Sequence, residues 1–295
     1  MSDKNELLLQ DRIEKIRSVI SKYGEENFYI SYSGGKDSTV LHHLIDLALP
    51  GNKIPRVYAN TGIEYKKMVE FVENERKKDN RIVIIEPSIP IKPMLERDGY
   101  PFKSKKHAKK LGTYQRNGMT KTALNYLKPC DGCKTFACPD VLRYQFSSDF
   151  KLKVDYKCCV NLKEKPLLEW QKRNGKKYAI IGIMKDEGGA RTKGKCLAFQ
   201  GKKLKAFQPL IPLTKKWEDW FIAERNLQLC ELYYPPYNFK RTGCKGCPFN
   251  LNLQRELDTL EKFFPQERKQ CEIIWKPVYE EYRRIGYRLR KVEDT

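Results

Sequence analysis

Long apolar runs are missing from this chain of 295 residues. No stretch approaches the roughly 20 consecutive apolar residues that a membrane-crossing helix needs. The opening residues, MSDKNELLLQDRIEK, lack the apolar core of a secretory signal, so a cytoplasmic protein with no membrane partner is expected. In such a compartment the 10 cysteines argue against a disulfide framework and for metal ligation or redox chemistry. Acidic residues are scarce as well: 37 Asp and Glu stand against 58 Lys and Arg, a formal net charge of +21. That excess predicts attraction to polyanions, whether DNA, RNA or smaller anionic substrates. Low-complexity tracts and internal repeats are absent. The hydrophobic fraction of 40% supports a true core, enough for one large or two modest domains.

The four-residue gap that precedes Gly-Lys in a Walker loop is absent too. What stands in its place is NFYISYSGGKDSTVLHHLIDLA, residues 27–48. Phe28, Tyr29 and Ile30 read as a buried strand. Gly34 and Gly35 permit a sharp turn that brings backbone N–H groups close to a ligand. Lys36-Asp37-Ser38-Thr39 then opens a helix with Val40, Leu41, Leu44, Ile45 and Ala48 on one face. Free N–H groups, the positive end of a helix and a lysine together make an anion site. The competing reading is a surface turn that only caps a helix.

The motif SGGKDS resembles the PP-loop of ATP pyrophosphatases and of the phosphoadenylyl-sulfate (PAPS) reductase family. The resemblance implies that Ser33, Gly34, Gly35, Lys36, Asp37 and Ser38 hold a phosphate, pyrophosphate or sulfate group of an adenine nucleotide. Lys36 and Asp37 become candidate catalytic residues, with Mg2+ as a candidate companion of the nucleotide. The segment Asn60-Thr61-Gly62-Ile63-Glu64 is similar to the family's second nucleotide loop, with Asn60 where an aspartate is usual, so Thr61 and Gly62 are expected at that site. Met184-Lys185-Asp186-Glu187-Gly188-Gly189-Ala190-Arg191 resembles the loop whose acidic pair and arginine face the nucleotide. Asp186, Glu187 and Arg191 join the nucleotide-site candidates on that ground, and Arg191 also joins Lys36 and Asp37 as a catalytic candidate. A guanidinium suits a bidentate clamp on an oxyanion, and a salt bridge from Arg191 to Asp186 or Glu187 is the alternative.

Strands alternate with helices along the chain. Residues 6–22 read as a helix, 56–60 as a second strand, 65–77 as a helix and 81–85 as a third strand, with a further strand over 177–183. The pattern predicts an α/β, doubly wound, mainly parallel sheet of the PP-loop, HUP-like kind, with ligands at the carboxyl ends of its strands. Residues 1–250 are expected to form the PAPS reductase-like domain. Within it, 99–150 read as a basic, cysteine-containing insertion whose lysines and aromatics suit either nucleic-acid contact or a solvated helix. The proline-leucine segment 209–214 and the helix over 217–226 are expected to supply packing. Residues 251–295 form a basic helical segment, expected to break near Pro265 and at Pro277.

Cys158-Cys159 and, after 84 intervening residues, Cys244-Lys245-Gly246-Cys247 are two close thiol pairs able to converge on one metal centre. Side chains of adjacent cysteines diverge in a strand, so Cys158 and Cys159 must sit on a bend or helix start to chelate together. The same pattern occurs in assimilatory adenylyl-sulfate (APS) reductases, which implies a [4Fe–4S] cluster on Cys158, Cys159, Cys244 and Cys247; a structural zinc is the alternative. Cys130, Cys133 and Cys138 are candidates for a second metal, with His107, Cys196 or Cys271 as a fourth ligand.

Reductases of this family carry a nucleophilic cysteine in a glutamate-cysteine-glycine tail, which this chain lacks. Only Cys271 follows the last pair, inside a helical segment, and it would be the nucleophile if the chain were a reductase. The resemblance extends to enzymes that thiolate nucleic acids, including those of DNA phosphorothioation. The expected function is therefore that of an adenine-nucleotide-using iron–sulfur enzyme transferring sulfur to DNA or RNA, the nucleotide being ATP, APS or PAPS, with a cysteine desulfurase or thioredoxin-like donor. An APS or PAPS reductase releasing sulfite is the alternative, and a non-catalytic nucleotide- or DNA-binding subunit a third.

Overall fold

The computed structural model describes residues 2–128, 137–187 and 194–291. Two compact units divide the chain. Unit 1 comprises Met1–Asn60, Lys66–Pro87 and Lys163–Thr242; unit 2 comprises Thr61–Tyr65, Ser88–Leu162 and Gly243–Thr295.

Unit 1 holds a six-stranded sheet. Its strands are β1 (Phe28–Tyr32), β2 (Arg56–Ala59), β3 (Ile82–Ile85), β4 (Tyr178–Ile181), β5 (Leu197–Gln200) and β6 (Lys203–Phe207), in the order β3-β2-β1-β4-β6-β5. All neighbours are parallel except β5 and β6, an antiparallel hairpin turned at Gly201, where φ is +59°. The strand order reverses between β1 and β4, and such a switch point is where open α/β sheets receive ligands. The predicted α/β architecture is the observed one.

Phe28, Tyr29 and Ile30 of β1 are buried on both faces of the strand, which accounts for their consecutive apolar run. The helix α1 (Ser2–Tyr23) packs on α2 (Lys36–Ala48), which follows the glycine turn and buries Val40, Leu41, Leu44 and Ile45. Each of those four side chains contributes about 1.5–3 kcal/mol of burial. α3 (Lys66–Lys78) and α7 (Lys165–Arg173) complete the covering of β2 and β3, and α8 (Lys215–Glu224) packs on α2. Thr214 caps α8 by accepting the Trp217 N–H at 3.2 Å.

Unit 2 is helical: α4 (Ile91–Asp98), α5 (Lys105–Asn117), α6 (Lys121–Leu127), α9 (Leu253–Phe263) and α10 (Pro265–Ile285). The expected break near Pro265 is the boundary between α9 and α10. The expected break at Pro277 does not occur, because α10 runs through it. Proline removes the N–H that would serve the carbonyl four residues earlier. That residue, Ile273, is 59% exposed, so water can take the place of the lost donor. The buried face of Ile274, Trp275, Val278, Tyr279 and Tyr282 meanwhile holds the helix in place. Among the described residues, no helix is long and apolar enough to cross a membrane.

Candidate functional site

The glycine turn of unit 1 is built largely by its own side chains. Ser38 Oγ accepts the Ser33 N–H at 3.2 Å and donates to Gly35 O at 2.9 Å, while Ser33 Oγ lies 2.9 Å from Ser38 Oγ and accepts the Gly35 N–H at 3.3 Å. Gly34 has φ +68°, and a Cβ there would sit 2.7 Å from both Met68 Sδ and Val72 Cγ2. No other residue fits that turn. Gly182, just past β4, is required for a different reason: a Cβ would stand 2.9 Å from Asp37 O, so the end of β4 lies directly against the first turn of α2.

Two residues that sequence reasoning missed close this turn. Tyr233 Oη accepts the Lys36 N–H at 3.2 Å and lies 2.7 Å from Thr242 Oγ1. A Cβ on Gly35 would meet Ser33 Oγ at 3.2 Å and Tyr233 Oη at 3.3 Å. The Lys36 ammonium reaches Asp219 Oδ1 at 3.2 Å. Thr242 belongs to the Thr-Gly-Cys string visible in the sequence, but nothing local flags Tyr233.

Beside the turn, Lys215 Nζ bridges two carboxylates, Asp37 Oδ1 at 2.5 Å and Glu218 Oε2 at 3.0 Å. Glu218 is fully buried, and its Oε1 has no hydrogen-bond partner among the described residues. Burial, then the nearby Asp37, push the Glu218 pKa up to about 8. Burial also opposes ionisation of Asp37, but its interactions with Glu218 and Lys215 outweigh that and bring its pKa below the usual value. One proton thus resides on Glu218 while Asp37 stays ionised. From the sequence, this helix is expected mostly to supply packing.

Other nucleotide-site expectations land as follows. Asp186 Oδ2 accepts the Lys215 N–H at 3.2 Å, at the N-terminus of α8. Glu187 ends the short turn Lys185–Glu187. Arg191 lies outside the described residues. Thr61 and Gly62 fall in unit 2: Thr61 is buried and donates its N–H and hydroxyl to the Glu64 carboxylate at 2.8–2.9 Å. At Gly62 φ is +79°, and a Cβ would meet nothing within 4 Å.

The four cysteines of the two pairs come together within unit 2. Cys158 and Cys159 occupy a helical start that continues into the wide turn Val160–Glu164, and their sulfurs are 4.0 Å apart. The required helix start is therefore present. The Cys158 thiol is pushed far above the usual range by its interaction with Cys159, by burial, and by the charges of Cys159, Cys247 and Cys244. Cys247 is raised by burial and then by Cys244 and Cys159. Burial and the neighbouring sulfurs thus oppose ionisation of Cys158 and Cys247, and a bound cation or cluster would relieve that cost.

The turn carrying Cys244 and Cys247 is clamped from behind. Gly246, at φ +62°, would place a Cβ 2.8 Å from Cys271 Sγ. Lys245 donates its N–H to Ile63 O at 2.9 Å and accepts from Trp275 Nε1 at 3.1 Å. Tyr279 and Tyr282 donate to Gly246 O and Pro248 O, and Asn250 N–H donates to Cys247 O. Glu256 accepts from Gly246 N–H at 2.9 Å, Asn250 Nδ2 at 2.6 Å and the Tyr65 hydroxyl.

Four cysteine sulfurs from two close pairs form a donor set that suits an iron–sulfur cluster and equally a structural zinc. A single zinc, with Zn–S about 2.3 Å, would draw four sulfurs to roughly 3.8 Å from one another. Among the described residues, only His42, Asp46 and Asp79 place three ligand atoms within 4.8 Å of one another. The His42 group is an ion-pair network instead, with Asp46 held by Arg56 and Arg81 and Asp79 by Arg81.

Of the second candidate set, Cys130 and Cys133 lie outside the described residues. Cys138 is buried, and burial pushes its thiol up to about 11. His107 is no free ligand: Nδ1 lies 3.0 Å from the Tyr126 hydroxyl and Nε2 2.8 Å from Gln145 Oε1, in a fully buried site. That corrects its place as a fourth ligand, since both ring nitrogens are already engaged. Cys196 belongs to unit 1, within reach of Arg12. Cys271 is packed behind the 244–247 turn.

The model of the phosphoadenosine phosphosulfate reductase domain matches residues 27–131 and 134–250. The chain belongs to the phosphoadenosine phosphosulfate reductase family. It is 33% identical over 263 residues to an uncharacterized protein of Methanocaldococcus jannaschii, covering 83% of this chain but 49% of the relative. The chain thus spans about half the length of that curated relative. Solved structures of similar shape include a PAPS reductase of Candida auris, with 11% identity, TM-score 0.43, and 80% and 95% of the two chains covered. Another is a U34-tRNA thiolase of Methanococcus maripaludis with its [4Fe-4S] cluster, with 16% identity, TM-score 0.39, and coverage of 93% and 79%. A third is an FMN adenylyltransferase of Candida glabrata in complex with ATP, with 16% identity, TM-score 0.45, and coverage of 83% and 64%.

Proposed function

We propose that this family member is an adenine-nucleotide-using iron–sulfur enzyme that transfers sulfur to a nucleic acid. The observation that carries the reading is the convergence of two distant thiol pairs, Cys158-Cys159 and Cys244/Cys247, on one place in unit 2. When bound, a [4Fe–4S] cluster supplies a redox-active core of iron and sulfide. The turn from Ser33 to Ser38 holds the phosphates of ATP through its backbone N–H groups and Lys36. An acceptor oxygen then attacks the α-phosphorus and expels pyrophosphate. Sulfur carried as a persulfide by a desulfurase-like donor attacks the atom that bears this oxygen and expels AMP with the oxygen. A thioredoxin-like dithiol then cleaves the S–S link to the donor, supplying the two electrons and becoming a disulfide. Thr61, Gly62, Asp186, Glu187 and Arg191 remain proposed members of the nucleotide site. The charge of +21 supports a polyanionic acceptor.

The family match also favours reduction of APS or PAPS, a reaction that needs a thiolate to attack the sulfonucleotide. Cys271 is fully buried, and burial pushes its thiol up to about 12, both unfavourable to a nucleophile. The two readings separate on pyrophosphate and sulfite. Anaerobic, iron-loaded protein should release pyrophosphate from ATP faster when tRNA or DNA is present, and Cys271→Ser should retain that activity. Sulfite release from APS or PAPS with a dithiol, lost in Cys271→Ser, would favour the reductase.

A further inference from the structure

Within unit 2, the last turns of α5 and the segment 147–154 line an open cavity of about 460 Å³. The packing that forms it is specific. Gly112 lets α5 lie on the segment, since a Cβ there would come 2.5 Å from Val154 O. Gln115 fastens the two together, donating to Leu152 O at 2.8 Å and accepting the Val154 N–H at 2.9 Å.

Around this frame stand aromatic rings and cations. Tyr114 packs on Phe146 at 5.5 Å between centroids, and Phe150 meets Tyr144 edge-on at 5.7 Å. Both Tyr114 and Phe150 line the cavity and stay partly exposed. Arg116 is aimed by its ion pair with the buried Asp155 at 2.8 Å, yet its side chain is 49% exposed. Lys151 and Lys153 also line the cavity, and their ammonium groups bond to the backbone carbonyls of Ser148 and Arg97 rather than to carboxylates.

The positive charge continues beyond the cavity. Residues 99–160 contain 13 Lys and Arg against 4 Asp and Glu. Two of those four acids, Asp140 and Asp155, are paired with Arg143 and Arg116. Lys105, Lys109 and Arg116 recur at intervals of four and seven residues and so share one side of α5, over about 16 Å.

We propose that this cavity receives an unstacked nucleotide of a single-stranded nucleic acid, whose backbone runs along Lys105, Lys109 and Arg116. The volume lies in the range of small-ligand sites. A lone small anion would need one cation rather than a row. A duplex keeps its bases stacked and away from rings such as Tyr114 and Phe150. The inference rests on the nucleic-acid reading above and gives that reading a surface.

The test is fluorescence anisotropy of short labelled single-stranded DNA and RNA, with the matched duplex beside them, on the full chain at several salt concentrations. Phe150→Ala should weaken single-strand binding about tenfold with an unchanged salt slope, because it removes stacking. The pair Lys105→Glu and Lys109→Glu should weaken binding and lower the salt slope by about two, because both lie on the proposed backbone track. ATP affinity and the melting transition should be unchanged in both. If Phe150→Ala loses its transition, Phe150→Leu replaces it, keeping bulk against Tyr144 without the aromatic face. Undiminished single-strand binding in these variants would overturn the cavity assignment while leaving the nucleic-acid reading standing. A preference for duplex would also overturn the assignment. No binding of any oligonucleotide by the parent protein at low salt would overturn both.

Discussion

The Glu256 carboxylate accepts the backbone N–H of Gly246 at 2.9 Å, at the centre of the turn that carries Cys244 and Cys247. The same carboxylate takes Asn250 Nδ2 and the Tyr65 hydroxyl, so one side chain ties the turn to α9 and to the loop Thr61–Tyr65. Outer partners of this kind fix the direction of metal-binding thiolates. Glu256→Ala should therefore lose iron to a chelator about tenfold faster than the parent, with weaker brown absorbance, whereas Asp258→Ala on the exposed side of α9 should not. Equal iron retention in both would make Glu256 a simple packing residue.

Substitution of any of Cys158, Cys159, Cys244 or Cys247 by Ser should bleach the absorbance of anaerobic protein, which should otherwise hold about four irons per chain. Iron and sulfide analysis with zinc measured alongside decides this. A colourless protein with one zinc, and no iron after reconstitution, would replace the cluster by a structural zinc.

At the glycine turn, Gly35→Val should push side-chain carbons toward Ser33 Oγ and Tyr233 Oη, which lie 3.2 and 3.3 Å from a Cβ there. Lys36→Ala removes the charge. Both variants should lower adenine-nucleotide affinity at least tenfold while leaving the melting temperature nearly unchanged, as read by parallel calorimetry with ATP, APS and PAPS. Parent-like affinity in both would reduce the turn to a structural cap.

Glu218 carries a testable pH signature. Its pKa is near 4.5 ordinarily and about 8 in the fold. Between those values the folded chain binds a proton that the unfolded chain has released, so this residue costs stability as pH rises from 4.5 toward 8. Glu218→Gln keeps the shape and removes the ionisation. It should stabilise the protein by on the order of 1 kcal/mol at pH 8 and by almost nothing at pH 4.5, in thermal melts across that range. An equal effect at both ends would mean that Glu218 is ionised throughout.

The parts that were legible in the chain are those with local signatures. The strand-glycine-helix unit of β1 and α2 follows from an apolar run, two glycines and a helical stripe. The geometry of adjacent side chains asks for a bend or a helix start at Cys158-Cys159, and a helix start is what the fold has. The hairpin of β5 and β6 was missed, because its short edge strands mix Leu, Ala, Phe and Gln with lysines and show only a weak period of two. Tyr233, Thr242, Lys215 and Glu218 were missed as site residues for another reason: the tertiary fold alone brings them to a turn some 180–210 residues earlier. Pro277 misled because the proline rule concerns a lost backbone bond. The buried face of α10, centred on Trp275 and Tyr279, holds the helix together despite it.

The most direct test of sulfur transfer is mass analysis of nucleosides and dinucleotides after digestion. Anaerobically reconstituted protein would be incubated with ATP, a sulfur donor, and tRNA or DNA beforehand. The account predicts sulfur-for-oxygen products that require ATP and disappear in Lys36→Ala and Cys244→Ser. Unmodified nucleic acid, together with sulfite released from APS or PAPS by the same preparation, would contradict it.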